Sequence, residues 1–339
     1  MAEQMSENLP RITGLGYAVP AKIRINDDPV FDWLKHNSTD GEKLFQGYEQ
    51  RRVLDTGEDL ISIMLPAAKN ALENAKMTSD QVDLLIGTGS VSQYRNPNVL
   101  SLLHQELGLQ KSVWVIPVDC EFSNYNASLL MADGLIRAGR ISNALICIGG
   151  NWTRNVSYQT PQAVSAGDGA GAAVLADSSD RQKWTLLDQC TLTDSHYYGS
   201  MYSSGNSFGI SPPIGNIQKL WTDSFFQITD EGIAGFKDFG VNSPPQVVLQ
   251  LLQRHSLKGS DIALISHQAS TVLMDHWSEV IQPGQYINTI KPFGNMAPAN
   301  IPVTLAWADE SESVSKDFLM LLAIGPDMHT NAMLFERNK

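Results

Sequence analysis

The chain has 339 residues, of which 42% are hydrophobic and 18% are charged, and its formal net charge is −12. This length suits two ordinary domains or one large fold built from two similar halves, and the apolar fraction excludes wholesale disorder. An acidic chain without a basic stripe lacks the groups that bind nucleic-acid phosphates. We therefore expect an acidic globular protein with no nucleic-acid partner.

The first ten residues, MAEQMSENLP, lack the basic stretch and apolar core of a signal peptide. No apolar run reaches the ~18–20 residues that a membrane span needs. The three cysteines, Cys120, Cys147 and Cys190, are too few and too widely spaced for a disulfide framework or a CxxC metal site. These features predict a cytoplasmic protein with free thiols, no metal and no membrane partner.

Apolar runs alternate with helical patterns along the chain. In chain order, the first half predicts a strand at 11–20, a helix at 59–77, a strand at 82–92, a helix at 98–109, a strand at 113–118, a helix at 127–139, and strands at 143–151 and 167–177. The second half predicts a helix at 244–257, a strand at 262–270, a helix ending at 280, a helix at 300–310, and strands at 318–326 and 331–337. This alternation indicates an α/β fold with buried sheets. Residues 192–240, rich in Ser, Gly, Tyr and Phe, predict an irregular insertion that lines a pocket.

Two glycine-rich segments, GTGS at 87–90 and GDGAG at 167–171, resemble pieces of phosphate-binding loops. Neither completes GxGxxG between a strand and a helix, and the chain has no GxxxxGK[ST]. We interpret them as places where backbone segments approach closely, and we expect no cofactor.

Three polar residues lie where predicted strands meet loops. Cys120 precedes a predicted helix, whose dipole favours a thiolate, although Asp119 and Glu121 oppose it. His267 ends a buried strand, and Asn295 lies in the loop KPFGNMAPANIP. A Cys, a His and an Asn at three such junctions predict a nucleophilic site.

The segments GLGYAVP, GDGAGAAVL, SHQAS and FGNMAPANIPVTLA occur in an order and spacing that resemble ketoacyl-acyl-carrier-protein synthase III, in the thiolase superfamily. The resemblance covers nearly the whole chain. It implies an α/β thiolase-like fold of two similar βαβαβ halves, residues 10–178 and 179–339, in five alternating layers. The insertion at 192–240 then belongs to the second half.

The resemblance also implies roles for the three residues. Cys120 would accept an acyl group from a thioester, while His267 and Asn295 would polarise the carbonyl of a malonyl-type thioester and stabilise its enolate. The implied substrates are thioesters of coenzyme A or an acyl carrier protein, and no cofactor is implied. The implied assembly is a homodimer, or a heterodimer with a homologue, and the apolar strand at 143–151 suits a continuous-sheet interface.

Three features depart from the family pattern. Aligned without a gap, the helix after Cys120 places Phe122 at the nucleophile position, and a two-residue shift that restores Cys120 makes Ser123 a rival. Pro326, which has no N–H, falls near a position whose N–H helps to form the oxyanion hole. Val272 replaces an arginine that contacts carrier protein in the family.

These departures favour a specialised relative in secondary metabolism. Two alternatives stay open: an acyltransferase that forms an ester or amide with His267 as general base, and a non-catalytic subunit that pairs with an active homologue.

Overall fold

The computed structural model describes residues 9–94, 96–203 and 226–337. The strands of this described part are β1 (Leu9–Ala18), β2 (Ile23–Ile25), β3 (Gln50–Arg52), β4 (Leu84–Ser90), β5 (Trp114–Pro117), β6 (Asn143–Asn151), β7 (Asp168–Ser178), β8 (Trp184–Thr193), β9 (Met201–Ser203), β10 (Phe226–Ile228), β11 (Ile262–Ser266), β12 (Gln285–Tyr286), β13 (Phe318–Gly325) and β14 (His329–Glu336). Its helices are α1 (Asp32–Asn37), α2 (Leu60–Asn74), α3 (Leu100–Glu106), α4 (Asn124–Arg137), α5 (Asp230–Gly235), α6 (Val241–Arg254), α7 (Thr271–Ile281), α8 (Ile290–Phe293) and α9 (Asn300–Glu310).

Ten strands form one mixed sheet in the order β12-β11-β13-β14-β8-β1-β7-β6-β4-β5. The sheet divides into two five-stranded halves that repeat one arrangement: two parallel pairs at the outer end, followed by two antiparallel pairs. The halves meet where β1 pairs with β8 over only two residue pairs, Arg11 with Thr185 and Ile12 with Trp184. The expected pair of similar sheets is therefore present, joined by a narrow seam, while the boundary at residues 178 and 179 stays a prediction.

Three apolar clusters define the layers of the fold. One cluster packs α2 and α3 on the first half, and another packs α6 and α7 on the second half. The third lies between the halves, where α4 and α9 contact strands of both. In α4, Tyr125, Leu129, Ala132 and Ile136 recur at helical spacing and are all buried in this central layer. The result is the five alternating layers that the resemblance implies.

Most strands and helices of the two halves lie where the patterns predict, but β8 is missed. Its residues Leu186 and Leu187 are adjacent, and Asp188 and Gln189 follow, so apolar and polar positions do not alternate. The prediction that residues 192–240 are irregular is wrong for part of the described residues in this range, because they form β9, β10 and α5. Residues 204–225 of that insertion lie outside the described residues.

The strand proposed for a dimer interface is not at an edge. β6 has hydrogen-bonded neighbours on both sides, β4 and β7, so it has no free edge to offer a second sheet. The strand at the end of the first half is β5, and its residue Trp114 is 71% exposed. The expectation that residues 143–151 form the interface is therefore wrong, because apolar character reflects burial here rather than an edge position.

Candidate active site

The segment between β5 and α4 carries the predicted nucleophile. β5 ends at Pro117, and α4 begins at Asn124 after a short 3-10 turn over Glu121–Ser123. Cys120 precedes this turn, is half-buried and packs against the central core. The Oδ1 of Asn124 accepts a hydrogen bond from the backbone N–H of Cys120. Cys120 therefore lies just before the N-terminal end of α4.

Negative charge surrounds the Cys120 thiol. Burial raises its pKa above the ordinary value, and Asp119 and Asp327 raise it further. The sequence predicts opposition from Asp119 and Glu121, whereas the second charge comes from Asp327, in the turn between β13 and β14. Burial and the same two aspartates raise the pKa of the Glu121 carboxyl to about 7. At neutral pH the Cys120 side chain is therefore a protonated thiol.

His267 and Asn295 are joined through a third buried residue, Asn300. The backbone N–H of His267 donates to the carbonyl of Leu322 in β13, which holds the residue at the end of β11. The Nδ2 of Asn300 donates to Asn295 Oδ1 at 2.7 Å and faces Nδ1 of His267 at 3.3 Å. Sequence reasoning misses Asn300, since its only signal is a polar residue at the start of a predicted helix.

Asn300 determines which nitrogen of His267 carries the proton. Its Oδ1 accepts a hydrogen bond from the Met296 N–H at 2.8 Å, so its Nδ2 faces the imidazole. Because Nδ2 is a donor, Nδ1 of His267 accepts, and the proton lies on Nε2. Burial lowers the pKa of His267 to about 3, so the ring is neutral at neutral pH. A neutral ring with an Nε2–H can donate to a developing oxyanion without adding charge.

The backbone of Asn295 is bound to the first half of the chain. Its N–H donates to the carbonyl of Ser165 at 2.7 Å, and its carbonyl accepts from the N–H of Gly167 at 2.9 Å. A Cβ at Gly167 would lie 2.3 Å from the carbonyl oxygen of Phe293, so only glycine fits here. This segment serves close backbone packing, as its incomplete phosphate-loop pattern indicates.

Phe122 covers one face of His267. The two ring centroids are 4.4 Å apart and the planes differ by 12°, which is a stacked arrangement. Within the described residues, no hydrogen bond links Cys120 to His267 or Asn295. The ungapped alignment that assigns the nucleophile position to Phe122 agrees with this contact, and the role of Cys120 stays a prediction.

A small cavity lies beside Phe122. Its walls include Val91, Glu121, Phe122, Trp152, Phe226 and Ala297. Polar groups of Ser90, Asn155 and Ser203 complete the lining. The cavity therefore has mixed apolar and polar walls, and it reaches His267 only through Phe122, which stacks on the imidazole.

Among the described residues, no cluster of three His, Cys, Asp or Glu side chains could hold a metal ion. None of the helices in this part of the chain is long and apolar enough to cross a membrane.

Known proteins are similar to this chain along most of its length. A family model described as 3-Oxoacyl-[acyl-carrier-protein (ACP)] synthase III matches residues 123–195. The beta-ketoacyl-[acyl-carrier-protein] synthase III of Actinobacillus pleuropneumoniae is 27% identical over 319 residues, which cover 92% of this chain and 94% of the relative. The protein of the same name from Aquifex aeolicus is 26% identical over 333 residues, with 96% and 98% covered. The chain is similar to ketoacyl synthase III proteins over most of its length.

Solved structures of similar proteins show the fold of this chain. The 3-oxoacyl-[acyl-carrier-protein] synthase III of Aquifex aeolicus aligns with a TM-score of 0.81 at 22% identity, covering 96% of this chain and 99% of that one. The priming β-ketosynthase of the R1128 polyketide pathway aligns with a TM-score of 0.82 at 18% identity, covering 98% and 97%. These structures confirm the predicted thiolase-like fold. The predicted resemblance to ketoacyl synthase III, whose printed name describes an acyl-transferring synthase, is confirmed by the relatives above.

Proposed function

We propose that the protein condenses an acyl thioester with a malonyl-type thioester in a decarboxylative Claisen reaction. The observation that carries this proposal is the buried cluster of His267, Asn300 and Asn295, which holds a neutral imidazole and an amide as hydrogen-bond donors. Similar proteins are named beta-ketoacyl-[acyl-carrier-protein] synthase III or priming β-ketosynthase. The substrates in this proposal are thioesters of coenzyme A or an acyl carrier protein.

His267 and Asn295 act on the carbonyl oxygen of the malonyl-type thioester. Loss of carbon dioxide leaves an enolate, whose negative charge lies on that oxygen. Within the described residues, neither the Nε2 of His267 nor the Nδ2 of Asn295 donates to another side chain, so both are available to this oxygen. Removing one such donor typically costs on the order of 10²–10³ in rate.

Cys120 is the proposed acyl acceptor. Cys147 lies inside β6, where burial raises its pKa well above the ordinary value, and Cys190 lies inside β8. Cys120 alone of the three precedes a helix, and the dipole of α4 favours its thiolate. Because Asp119 opposes this effect, we expect slower acylation than an unopposed thiol would give.

The pathway proposed for this enzyme is secondary-metabolite or fatty-acid-type biosynthesis. Phe122 at the nucleophile position and Pro326 in the turn after β13 separate it from the family pattern. Val272, near the start of α7, is 79% exposed where the resemblance implies a basic contact for an acidic carrier. These differences favour a specialised donor over the carrier used in housekeeping synthesis.

One observation favours a second candidate function. Phe122, which the ungapped alignment places at the nucleophile position, stacks on one face of His267. A non-catalytic subunit, which shapes the pocket of an active homologue, would tolerate this arrangement.

We propose that the protein forms a two-fold dimer through β5. This strand ends the sheet of the first half, and its exposed Trp114 gives the edge an apolar surface. Pairing of two β5 strands would continue the sheet across the dimer and cover both tryptophans.

The proposed condensation is tested in two steps. The protein is incubated with a panel of acyl thioesters and its intact mass is measured; a malonyl thioester is then added and the released carbon dioxide is measured. We expect a covalent acyl adduct and release of carbon dioxide from the wild type. His267→Ala and Asn295→Ala should retain the adduct and lose decarboxylation. His255→Ala is a matched control, because His255 pairs with Asp188 at 3.1 Å away from the cluster.

The outcomes separate the alternatives. An adduct without decarboxylation, with ester or amide product, would indicate an acyltransferase of the same fold. Absence of any adduct, alone or with a homologous partner, would contradict the condensing-enzyme proposal and favour the subunit.

A further inference from the structure

Ser123, His329 and Asp327 form a hydrogen-bonded relay beside the predicted nucleophile. His329 opens β14, and its Nε2 lies 2.6 Å from the Oγ of Ser123, in the turn before α4. Its Nδ1 is hydrogen-bonded to Asp327 Oδ1. Ser123 and His329 are 206 positions apart in the sequence, so the two halves of the chain create this contact.

The turn between β13 and β14 is shaped to present the imidazole. A Cβ at Gly325 would lie 2.0 Å from Cε1 of His329, so the ring fills the space that this glycine leaves. Met328 has a φ of 54°, and its carbonyl accepts a hydrogen bond from the Asp194 N–H at 2.9 Å. Pro326, a departure from the family pattern, lies in the same turn. The His329 ring is thus held in place by its surroundings.

The hydrogen bonds give the relay a direction. The Asp327 carboxylate accepts, so Nδ1 of His329 carries the proton and Nε2 accepts the proton of the Ser123 hydroxyl. A hydroxyl bonded to an imidazole that a carboxylate orients is the arrangement of an activated serine nucleophile. The neighbouring thiol of Cys120 has no such base within the described residues, and Asp327 works against its ionisation.

We propose that Ser123 is a second nucleophile of this site and accepts the acyl group as an oxyester. The inference rests on the proposed use of acyl thioesters. Ser123 is the next residue in the chain after Phe122, which stacks on His267 and lines the small cavity. A buried serine that only needed a hydrogen-bond partner could use a nearby carbonyl, as Ser128 does on α4 with the carbonyl of Asn124.

The acylation step balances without a further reactant. The Oγ of Ser123 bonds to the thioester carbonyl carbon, and its proton passes to Nε2 of His329. The carbon–sulfur bond breaks, and the leaving sulfur takes that proton, so the products are the serine ester and a free thiol. Asp327 is a positioning residue here: it holds Nδ1–H and stabilises the imidazolium while the proton is on the ring.

The experiment treats wild type and variants with acyl thioesters, maps the modified peptide and exposes it to neutral hydroxylamine, which cleaves thioesters and spares oxyesters. For Cys120→Ala we expect a hydroxylamine-resistant adduct on Ser123. Ser123→Ala in that background should abolish the adduct, and His329→Gln should slow its formation at least 100-fold. Ser128→Ala, which removes a buried hydroxyl from the same helix, is the matched control and should leave the adduct intact.

A further variant, Ser123→Cys, distinguishes a nucleophilic role of Ser123 from a purely structural one. Ser123→Cys in the Cys120→Ala background keeps a nucleophile beside His329, so we expect an adduct that hydroxylamine now cleaves. An adduct confined to Cys120 in the wild type and absent from Cys120→Ala would overturn the inference and leave the proposed function standing. No adduct in the wild type would overturn both.

Discussion

Replacing Asn300 by aspartate should move the proton of the neutral His267 ring from Nε2 to Nδ1. In the native protein the Nδ2 of Asn300 faces Nδ1 of His267 at 3.3 Å and leaves the proton on Nε2. A carboxylate of nearly the same shape can only accept, so the ring must present its proton at Nδ1. The Nε2–H that we propose as a donor to the enolate is then lost, while the imidazole stays in position.

The expected cost follows from the contacts of Asn300. Loss of one preorganised donor to an oxyanion typically lowers the rate on the order of 10²–10³, or about 3–4 kcal/mol. The substitution also removes the donor to Asn295 Oδ1, although that oxygen keeps its hydrogen bond from the Ala297 N–H at 2.9 Å. Losing one of two buried partners should lower the free energy of unfolding by about 1–3 kcal/mol.

The assay combines nitrogen NMR of ¹⁵N-histidine protein with decarboxylation of a malonyl thioester. The wild-type spectrum should show a neutral His267 protonated at Nε2, and Asn300→Asp should move the proton to Nδ1. The control is Asn126→Asp on α4, an equally buried asparagine whose Nδ2 donates to Asn331 at 2.9 Å. A wild-type proton on Nδ1, or equal rates for Asn300→Asp and Asn126→Asp, would refute the reasoning.

Three further predictions concern neighbouring features. Glu121 has its pKa raised from 4.5 to about 7, so its contribution to stability is present below pH 4.5 and is lost as the pH rises through 7. Full burial would make this about 3 kcal/mol, and partial exposure reduces it. Because Glu121→Gln cannot ionise, its free energy of unfolding in urea should fall by about 1–2 kcal/mol less than that of the wild type between pH 4 and pH 8, and the exposed Glu73→Gln serves as the substitution control. Phe122→Ala admits water to His267 and should raise its pKa from about 3 toward 6.5 in an NMR titration; an unchanged value would mean that Phe122 does not shield the ring. Trp114→Lys on β5 should shift sedimentation from dimer to monomer, and a dimer that persists would place the interface elsewhere.

The sequence predicts most strands and helices of the two halves because these elements have clear local periods, whereas the division into two similar halves follows from the resemblance. α4 is an example: its apolar residues recur every three or four positions, and the structure buries them in the central layer. β8 is not predicted because its order of apolar and polar residues follows neither the two-residue period of a strand nor the 3.6-residue period of a helix. The short β2 and β3 escape because three residues are too few to show one.

The candidate site likewise has some residues that the sequence predicts and others that only the structure reveals. His267 and Asn295 are visible in the sequence because each ends a strand or opens a helix within a recognisable segment. The role of Asn300 depends on which atoms face its amide, and the Ser123–His329 contact depends on the packing of two distant segments. Local patterns carry no information on such contacts, which the tertiary fold alone brings together.

The bond between Asn295 and the Ser165–Gly167 segment has a consequence for the evolution of this protein. The repeated strand order is the kind that a gene duplication leaves, and duplicated halves ordinarily drift apart. Here the side chain that we propose as an enolate donor belongs to one half, while its backbone is held by the other. Any exchange of one half for that of a relative must preserve a glycine at 167, or the donor moves out of position. A hybrid that joins one half of this chain to the other half of a relative should therefore keep this donor in place only when residue 167 is glycine.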